Sequence, residues 1–292
     1  MTFVSTITLT FFLLLVVVAV AIGKMRNLFA AVMLSGIFSL LSASLFVLMD
    51  AVDVAFTEAA VGAGISTVLM LMVLHLTADK ETHNGDVKVF PLLISALCGA
   101  VLLYATQDMP HFGDPEAFIH QSLTADHYLN KSYDDSHIPN IVTTILASYR
   151  GFDTLGETTV VLTAAVAVMM LLGRPKEEEQ ELGPESDAII EVGAKMLIPY
   201  ILLFALYVQF HGDYGPGGGF QAGVILGASF ILLAIGFDLR GTLSRLPESV
   251  FKPFAALGVA FYIGIGLLCL ALGGNFLDYE ALRQIVPLSP QE

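Results

Sequence analysis

Apolar positions in this chain fall in long unbroken runs separated by shorter polar stretches, not in the one-faced stripes of a soluble helix. Eight runs stand out: Thr6–Gly23, Asn27–Met49, Val52–Leu76, Val89–Thr106, Leu155–Gly173, Val192–His211, Gly219–Phe237 and Lys252–Gly273. Each is about 20 residues long, the length an α-helix needs to cross the hydrocarbon core. The runs are continuous where a membrane barrel would alternate. The pattern predicts an all-α, polytopic integral membrane protein with about eight transmembrane helices. No basic segment precedes the first run and no small-residue cleavage site follows it, so it reads as a retained helix and not a signal peptide.

The polar stretches divide the chain into parts. Residues 1–88 read as a three-helix module, 89–174 as a two-helix module with a long external loop, 175–191 as a charged cytoplasmic linker and 192–292 as a last group of helices. The linker carries Lys176-Glu-Glu-Glu-Gln-Glu-Leu-Gly-Pro-Glu185 and should be solvated. It reads as a joint between modules able to exist as separate polypeptides.

Orientation follows from lysine and arginine in the connections. Lys24, Arg26, Lys80, Lys88, Arg174, Lys176, Lys195, Arg240, Arg245 and Lys252 fall on one side of an eight-span chain. Lys131, Arg150 and Arg283 fall on the other. The first group marks the cytoplasm, which puts the N-terminus outside.

Composition removes several classes of function. The formal charge of −14 opposes nucleic-acid binding, which needs clustered cations. Cys98 and Cys269 both lie in apolar runs and form no disulfide framework or CxxC metal motif. The chain has no Trp, so tyrosines must supply the interfacial anchors. Nothing calls for a cofactor or a resident metal, and no cluster or haem ligands suit the chain to carry electrons.

Chemistry concentrates in the third run. Glu58 sits among small and apolar residues, roughly 10 Å below the outer end of its helix at 1.5 Å rise per residue. A carboxylate at that depth is expensive and marks an ion or proton path, against the plainer reading of a pair with a neighbouring helix. Asp53 opens the same run and His75 closes it near the interface, and both are candidates for the same ion or proton path. Gly62 and Gly64 permit close packing, and the surrounding Ala-Val-Gly-Ala-Gly could host a π-bulge that frees backbone groups beside the carboxylate. Ser35, Ser39, Ser42 and Ser44 in the second run suit close helix packing.

The segment Gln107–Asp153 is the longest polar stretch. Its His111, His120, His127 and His137, with Asp108, Asp114, Glu116, Asp126, Asp134 and Asp135, match no ligand template. A polar external loop, or an acidic funnel for cations, accounts for them equally. At its end, Asp153 suits an N-cap. Glu157 has two readings: a first-turn carboxylate favoured by the helix dipole, or a second ionisable site, paired with Arg150. The turn His211-Gly-Asp-Tyr-Gly-Pro-Gly-Gly-Gly-Phe-Gln221 is tight and external, and no GK[ST] follows to make it a phosphate loop. His211 and Asp213 either guard an outer mouth or stabilise the turn. Gly219, Gly223 and Gly227 form a small-residue ridge expected to meet another helix backbone.

Three blocks share one resemblance: Asp53-Val-Ala-Phe-Thr-Glu-Ala-Ala-Val-Gly-Ala-Gly64, Arg150-Gly-Phe-Asp-Thr-Leu-Gly-Glu157 and Phe210-His-Gly-Asp-Tyr-Gly-Pro-Gly-Gly-Gly-Phe-Gln-Ala-Gly223. Together they resemble the Mrp-type multisubunit Na⁺/H⁺ antiporters. The first two are similar to the C-terminal part of the large A subunit and to the D and E subunits of membrane-bound hydrogenase. The third is similar to the B subunit, so the chain resembles a fused B subunit. The resemblance implies a membrane subunit of a cation/proton antiporter in a bacterial or archaeal cell membrane, a secondary transporter and not an enzyme. It implies Na⁺ and H⁺ as the transported ions and the A, C, D, E, F and G subunits as partners, in a lipid bilayer, with no nucleic acid. Glu58 and Glu157 match acidic positions the family uses, and Glu58 lies in the part similar to the complex I subunit with a π-bulge helix. The family B subunit has a fourth span where this chain shows three, which leaves the side of the C-terminus open. Two other assignments stay open: a membrane-arm subunit of a hydrogenase-like or complex I-like respiratory complex, and a non-transporting assembly scaffold.

Overall fold

The computed structural model describes residues 3–77, 80, 89–111, 113–172, 188–237 and 248–285. The charged linker 175–191 therefore lies largely outside the described residues. Among them the architecture is all-helical, with one isolated bridge between Asn27 and Lys80.

Eight helices are long and apolar enough to cross a membrane. The first three crossings are α1 (Phe3–Lys24), α2 (Leu28–Leu48) and a composite third span. That third span comprises α3 (Val52–Glu58), a π-helix π1 (Ala59–Ser66) and α4 (Thr67–Leu76). Asn27 caps α2 by accepting from Ala30 N at 3.0 Å. α2 packs on α1 and along the whole composite span.

α5 (Val89–Ala105) follows, its residues mostly exposed. The long polar segment is not an open loop. It folds into α6 (Phe118–Gln121), α7 (Leu123–Ser136), α8 (Ile141–Thr144) and a second π-helix, π2 (Ile145–Tyr149). Ser122 caps α7 and Asn140 caps α8, each accepting from a backbone N–H. These caps let short helices form in a polar segment where no apolar stripe announces them.

α9 (Gly151–Leu172) starts four residues earlier than the apolar run, because Gly151 is buried. It packs on α12 (Glu248–Ala271). α10 (Ala188–His211) and α11 (Gly219–Phe237) form the most extensive helix pair, and α11 packs against π1 and α3. The short α13 (Tyr279–Leu282) packs back on α12 and α7. Leu277, fully buried, fills the space left by Gly151. The Tyr262 hydroxyl donates to the Gly151 carbonyl at 3.2 Å. The structure thus brings one end of α12 to the start of α9.

Candidate functional site

Glu58 ends α3 at the point where the backbone widens into π1. The π geometry arises where the sequence offers small residues, Ala59-Ala-Val-Gly-Ala-Gly64, which leave room for the wider coil. Gly62 is the tight point. A Cβ there would stand 2.6 Å from Glu58 Oε1 and closer still to Ser39 Oγ. The carboxylate and the α2 hydroxyl therefore meet over a glycine, where any larger residue would force one of them to move. One turn on, Thr67 reciprocates. Its Oγ1 occupies the space above Gly36 of α2 and donates to Gly62 O at 3.2 Å. The α2–π1 seam carries a carboxylate and two hydroxyls in a stretch that is otherwise apolar. Gly64 is tight against Ala59 O, at 3.3 Å from a built Cβ.

Asp53, near the start of α3, is engaged elsewhere. Its Oδ1 accepts from the backbone N–H of Gly217 at 3.2 Å. Gln221, 9% exposed, donates from Nε2 to Thr57 Oγ1 at 2.9 Å, and the Thr57 hydroxyl donates to Asp53 O at 3.1 Å. α3 is thus tied at two levels, to the glycine-rich turn through Asp53 and to the start of α11 through Thr57.

The turn is shaped by its glycines. Gly218 has φ 131°, open to glycine and strained for other residues. A Cβ on Gly217 would lie 2.6 Å from Val208 O. His211 closes the turn through its carbonyl, which accepts from Tyr214 N and Gly215 N at 3.0 and 3.1 Å. Its ring stacks on Tyr207 with centroids 5.0 Å apart. The backbone of His211 thus takes part in the turn.

The α8 region reaches the same turn. Asn140 N donates to Asp213 O at 3.0 Å, and its Nδ2 donates to Gly215 O at 3.0 Å and Gly212 O at 3.3 Å. Thr143 Oγ1 donates to Gly212 O at 2.5 Å. Behind this contact, Thr144 and Ser136 share a buried hydrogen bond of 2.9 Å that joins α8 to α7. At the far end of π2, the Tyr149 hydroxyl donates to Asp135 Oδ2 at 2.6 Å, and His127 Nε2 lies 3.0 Å from the same oxygen. Tyr149's hydrogen bond first, and His127 after it, hold the Asp135 carboxyl below its ordinary value. Burial and the neighbouring carboxylate push the Tyr149 phenol up.

Several expectations change. Asp153 is not a cap but lies inside α9, and Arg150 pairs with it, Nε to Oδ2 at 2.7 Å, not with Glu157. Glu157 lies one turn deeper, outside the first turn, and is exposed in this chain; Glu58 is half-buried. Neither carboxylate is fully buried by this chain alone. A Cβ on Gly223 would have nothing within 4 Å and one on Gly227 would meet only the end of Ile65, while Gly219 lies near Gln209. The close approach expected of that ridge occurs instead at Gly236, whose built Cβ falls 2.7 Å from Ala194 Cβ. The side chain of His75 is outside the described residues. Among the described residues no group of three or more His, Cys, Asp or Glu could hold a metal ion.

Asn140, Thr143 and Gln221 are the residues that sequence reasoning missed. Asn140 follows a proline and precedes an apolar run, which signals a cap. Nothing local signals its bonds to a turn more than 70 residues away.

Comparison with known proteins gives a consistent picture. Three family models match: the domain related to the MnhB subunit of Na⁺/H⁺ antiporter over 189–291, the D subunit of MBH over 4–79 and the E subunit of MBH over 112–186. A putative antiporter subunit of Staphylococcus epidermidis, mnhB2, is 32% identical over 104 residues, covering 36% of this chain and 73% of that protein. A probable K⁺/H⁺ antiporter A/B subunit of Rhizobium meliloti is 28% identical, covering 93% of this chain and 30% of that protein. An uncharacterized protein of Methanocaldococcus jannaschii is 28% identical over 48% of this chain and 60% of its own length. The chain therefore spans less than two thirds of the length of these last two relatives. Among solved structures, the Mrp complex from Dietzia sp. DQ12-45-1b superposes with a TM-score of 0.72 at 26% identity, over 92% of this chain and 30% of that one.

Proposed function

Since the chain belongs to the MnhB-type subunits of Mrp antiporters, joined to segments of the MBH D and E types, we propose that it is a membrane subunit of a monovalent cation/proton antiporter in which Glu58 is the titrating carboxylate. The observation that carries this reading is the placing of Glu58 at the α3–π1 junction, facing Ser39 across Gly62 inside a membrane span. Glu58 is half-buried in this chain, and the Ser39 hydroxyl lies on the other side of Gly62 from it. The proposed step is proton uptake and release at Glu58 as a cation passes.

Other parts of the reading follow from the same family. Glu157 forms a second ionisable position, covered by a neighbouring subunit. The modules 1–88, 89–174 and 192–292 correspond to the D-like part (the C-terminal part of the A subunit), the E-like part and the B-like part. The partners are the other antiporter subunits, and the transported ions are Na⁺ or K⁺ with H⁺. The N-terminus faces outward, on the distribution of Lys and Arg.

The test is exchange by Glu58→Gln in the assembled complex. Inverted vesicles should lose cation-dependent dissipation of ΔpH while the subunits still co-purify. Wild-type exchange with wild-type assembly would overturn the assignment. A second reading, membership of a hydrogenase-like respiratory complex, draws on the MBH D and E matches. Mass spectrometry of the gently extracted complex separates the two: an iron–sulfur hydrogenase subunit among the partners would favour the second.

A further inference from the structure

The acidic residue nearest to Glu58 along its helix, Asp53, has a hydrogen-bonding partner that an ion carrier would not need. We infer that Asp53 is a positioning residue: it acts as an acceptor that docks the Glu58 helix on the glycine-rich turn, and the same turn docks α8 through Asn140. This rests on the reading of Glu58 given above.

The turn's own backbone sets the requirement. A tight glycine turn leaves carbonyls and amides that its own helices cannot satisfy. Here they are met from outside. The Gly212 and Gly215 carbonyls accept from Asn140 Nδ2, Gly212 also from Thr143, and the Asp213 carbonyl from Asn140 N. The Gly217 amide donates to Asp53. The supply is divided between α3, which carries Glu58, and α8. Asn140 is used at every polar group of its side chain: Nδ2 bonds to the turn, and Oδ1 caps α8 by accepting from Val142 N at 3.0 Å. α8 runs into π2, and Arg150, with φ −116° and ψ 28°, interrupts the helix before α9 begins at Gly151.

Geometry also decides which property of Asp53 matters. An acceptor oxygen is required by Gly217. A negative charge is not, because no described lysine, arginine or histidine forms an ion pair with it. Asparagine keeps the shape and the acceptor and removes the charge. The Gln221–Thr57 bond supplies a second strut one turn along, which sets how far α3 can turn while Asp53 holds.

The experiment compares Asp53→Asn, Asp53→Ala and Glu58→Gln in the assembled complex. Two readouts are used: cation-dependent ΔpH dissipation against pH, and hydrogen exchange of the peptide containing the Gly217 amide. Asp53→Asn should keep exchange activity within about twofold, with an unmoved pH profile and a protected amide. Asp53→Ala should lose about threefold to tenfold and expose the amide. If Asp53→Asn abolishes exchange as Glu58→Gln does, or shifts the pH profile, Asp53 carries charge and the inference is overturned. Should Asp53→Ala not assemble, Asp53→Asn alone decides. Normal exchange in Glu58→Gln would instead overturn the reading beneath it, while the amide readout still reports on the docking.

Discussion

Replacing Gly62 by alanine isolates the geometry around Glu58. In an ordinary helix the change is favourable by about 1 kcal/mol, since alanine restricts the unfolded chain and suits the helix. Here the new methyl would lie 2.6 Å from Glu58 Oε1 and 2.9 Å from Ser39 Cβ. Neither distance is sustainable. The Ser39 Cβ is fixed by the backbone of α2, so relief comes from moving the carboxylate or spreading the α2–π1 seam. Overpacking of this kind costs about 1–3 kcal/mol. Set against the propensity gain, the net loss of stability is at most about 2 kcal/mol. The complex should therefore assemble, and the displaced carboxylate is what the assay reads. A shift of about 1 Å in a reacting group can cost roughly a hundredfold in rate. We expect Gly62→Ala to reduce cation-dependent ΔpH dissipation in inverted vesicles by at least about tenfold. Adding Ser39→Ala removes the hydroxyl but not the Cβ, and should restore part of the activity. Gly223→Ala serves as the control, because nothing in this chain lies within 4 Å of a Cβ there. Wild-type exchange in Gly62→Ala, in complexes of normal yield, would show that the carboxylate's position over Gly62 is immaterial.

Two further outcomes follow from the packing outside that seam. Asp135 has a carboxyl held below its ordinary value of 3.8, first by the Tyr149 hydroxyl. Its contribution to stability is present above that value and is lost as pH falls through the depressed one. Tyr149→Phe should therefore loosen residues 123–149 near neutral pH, with the difference from wild type shrinking on acidification, as hydrogen exchange from neutral pH down to about pH 3 would record; an unchanged pattern at neutral pH would refute it. Gly236→Leu would drive a side chain into Ala194, 1% exposed, whose Cβ stands 2.7 Å from a built Cβ. Separation of α10 from α11 should cost about 2–3 kcal/mol or more and lower the yield of extracted complex, whereas Gly258→Leu, with open space around it, should not.

Much of the fold could be read from the sequence because lipid imposes one requirement at a time. Runs of about 20 apolar residues are enough to place eight crossings. The π-helix was legible at Ala59–Ser66 for a related reason: a cluster of small residues after an acid leaves few ways to pack. Glu58 was legible because a carboxylate at depth needs justifying. The failures share a cause too. α7 is largely polar and α8 is only four residues long; both are fixed by caps and by the buried Ser136–Thr144 bond, so no apolar period reveals them. Asp153 looked like a cap because the apolar run begins after it, but burial of Gly151 against Leu277 starts α9 earlier. The glycine ridge on α11 was read from spacing alone. Spacing says that a backbone could approach at Gly223, and the fold puts the approach at Gly236.

Segments far apart in sequence converge on the turn 211–219 because irregular backbone at the edge of a bilayer is tolerated only where protein or water satisfies it. That turn has both an unspent amide and several unspent carbonyls, so it needs acceptors and donors from elsewhere. The Asp53 carboxylate is an acceptor only, and Asn140 and Thr143 bring the donors. A turn supplied from one side alone would keep unpaired groups, each costing about 1–3 kcal/mol when buried. Both α3 and α8 must therefore be in place before the turn is satisfied. The turn's hydrogen bonds thus hold α3 and α8 against the α10–α11 pair at named polar atoms, which plain helix packing through apolar faces would leave free to slide.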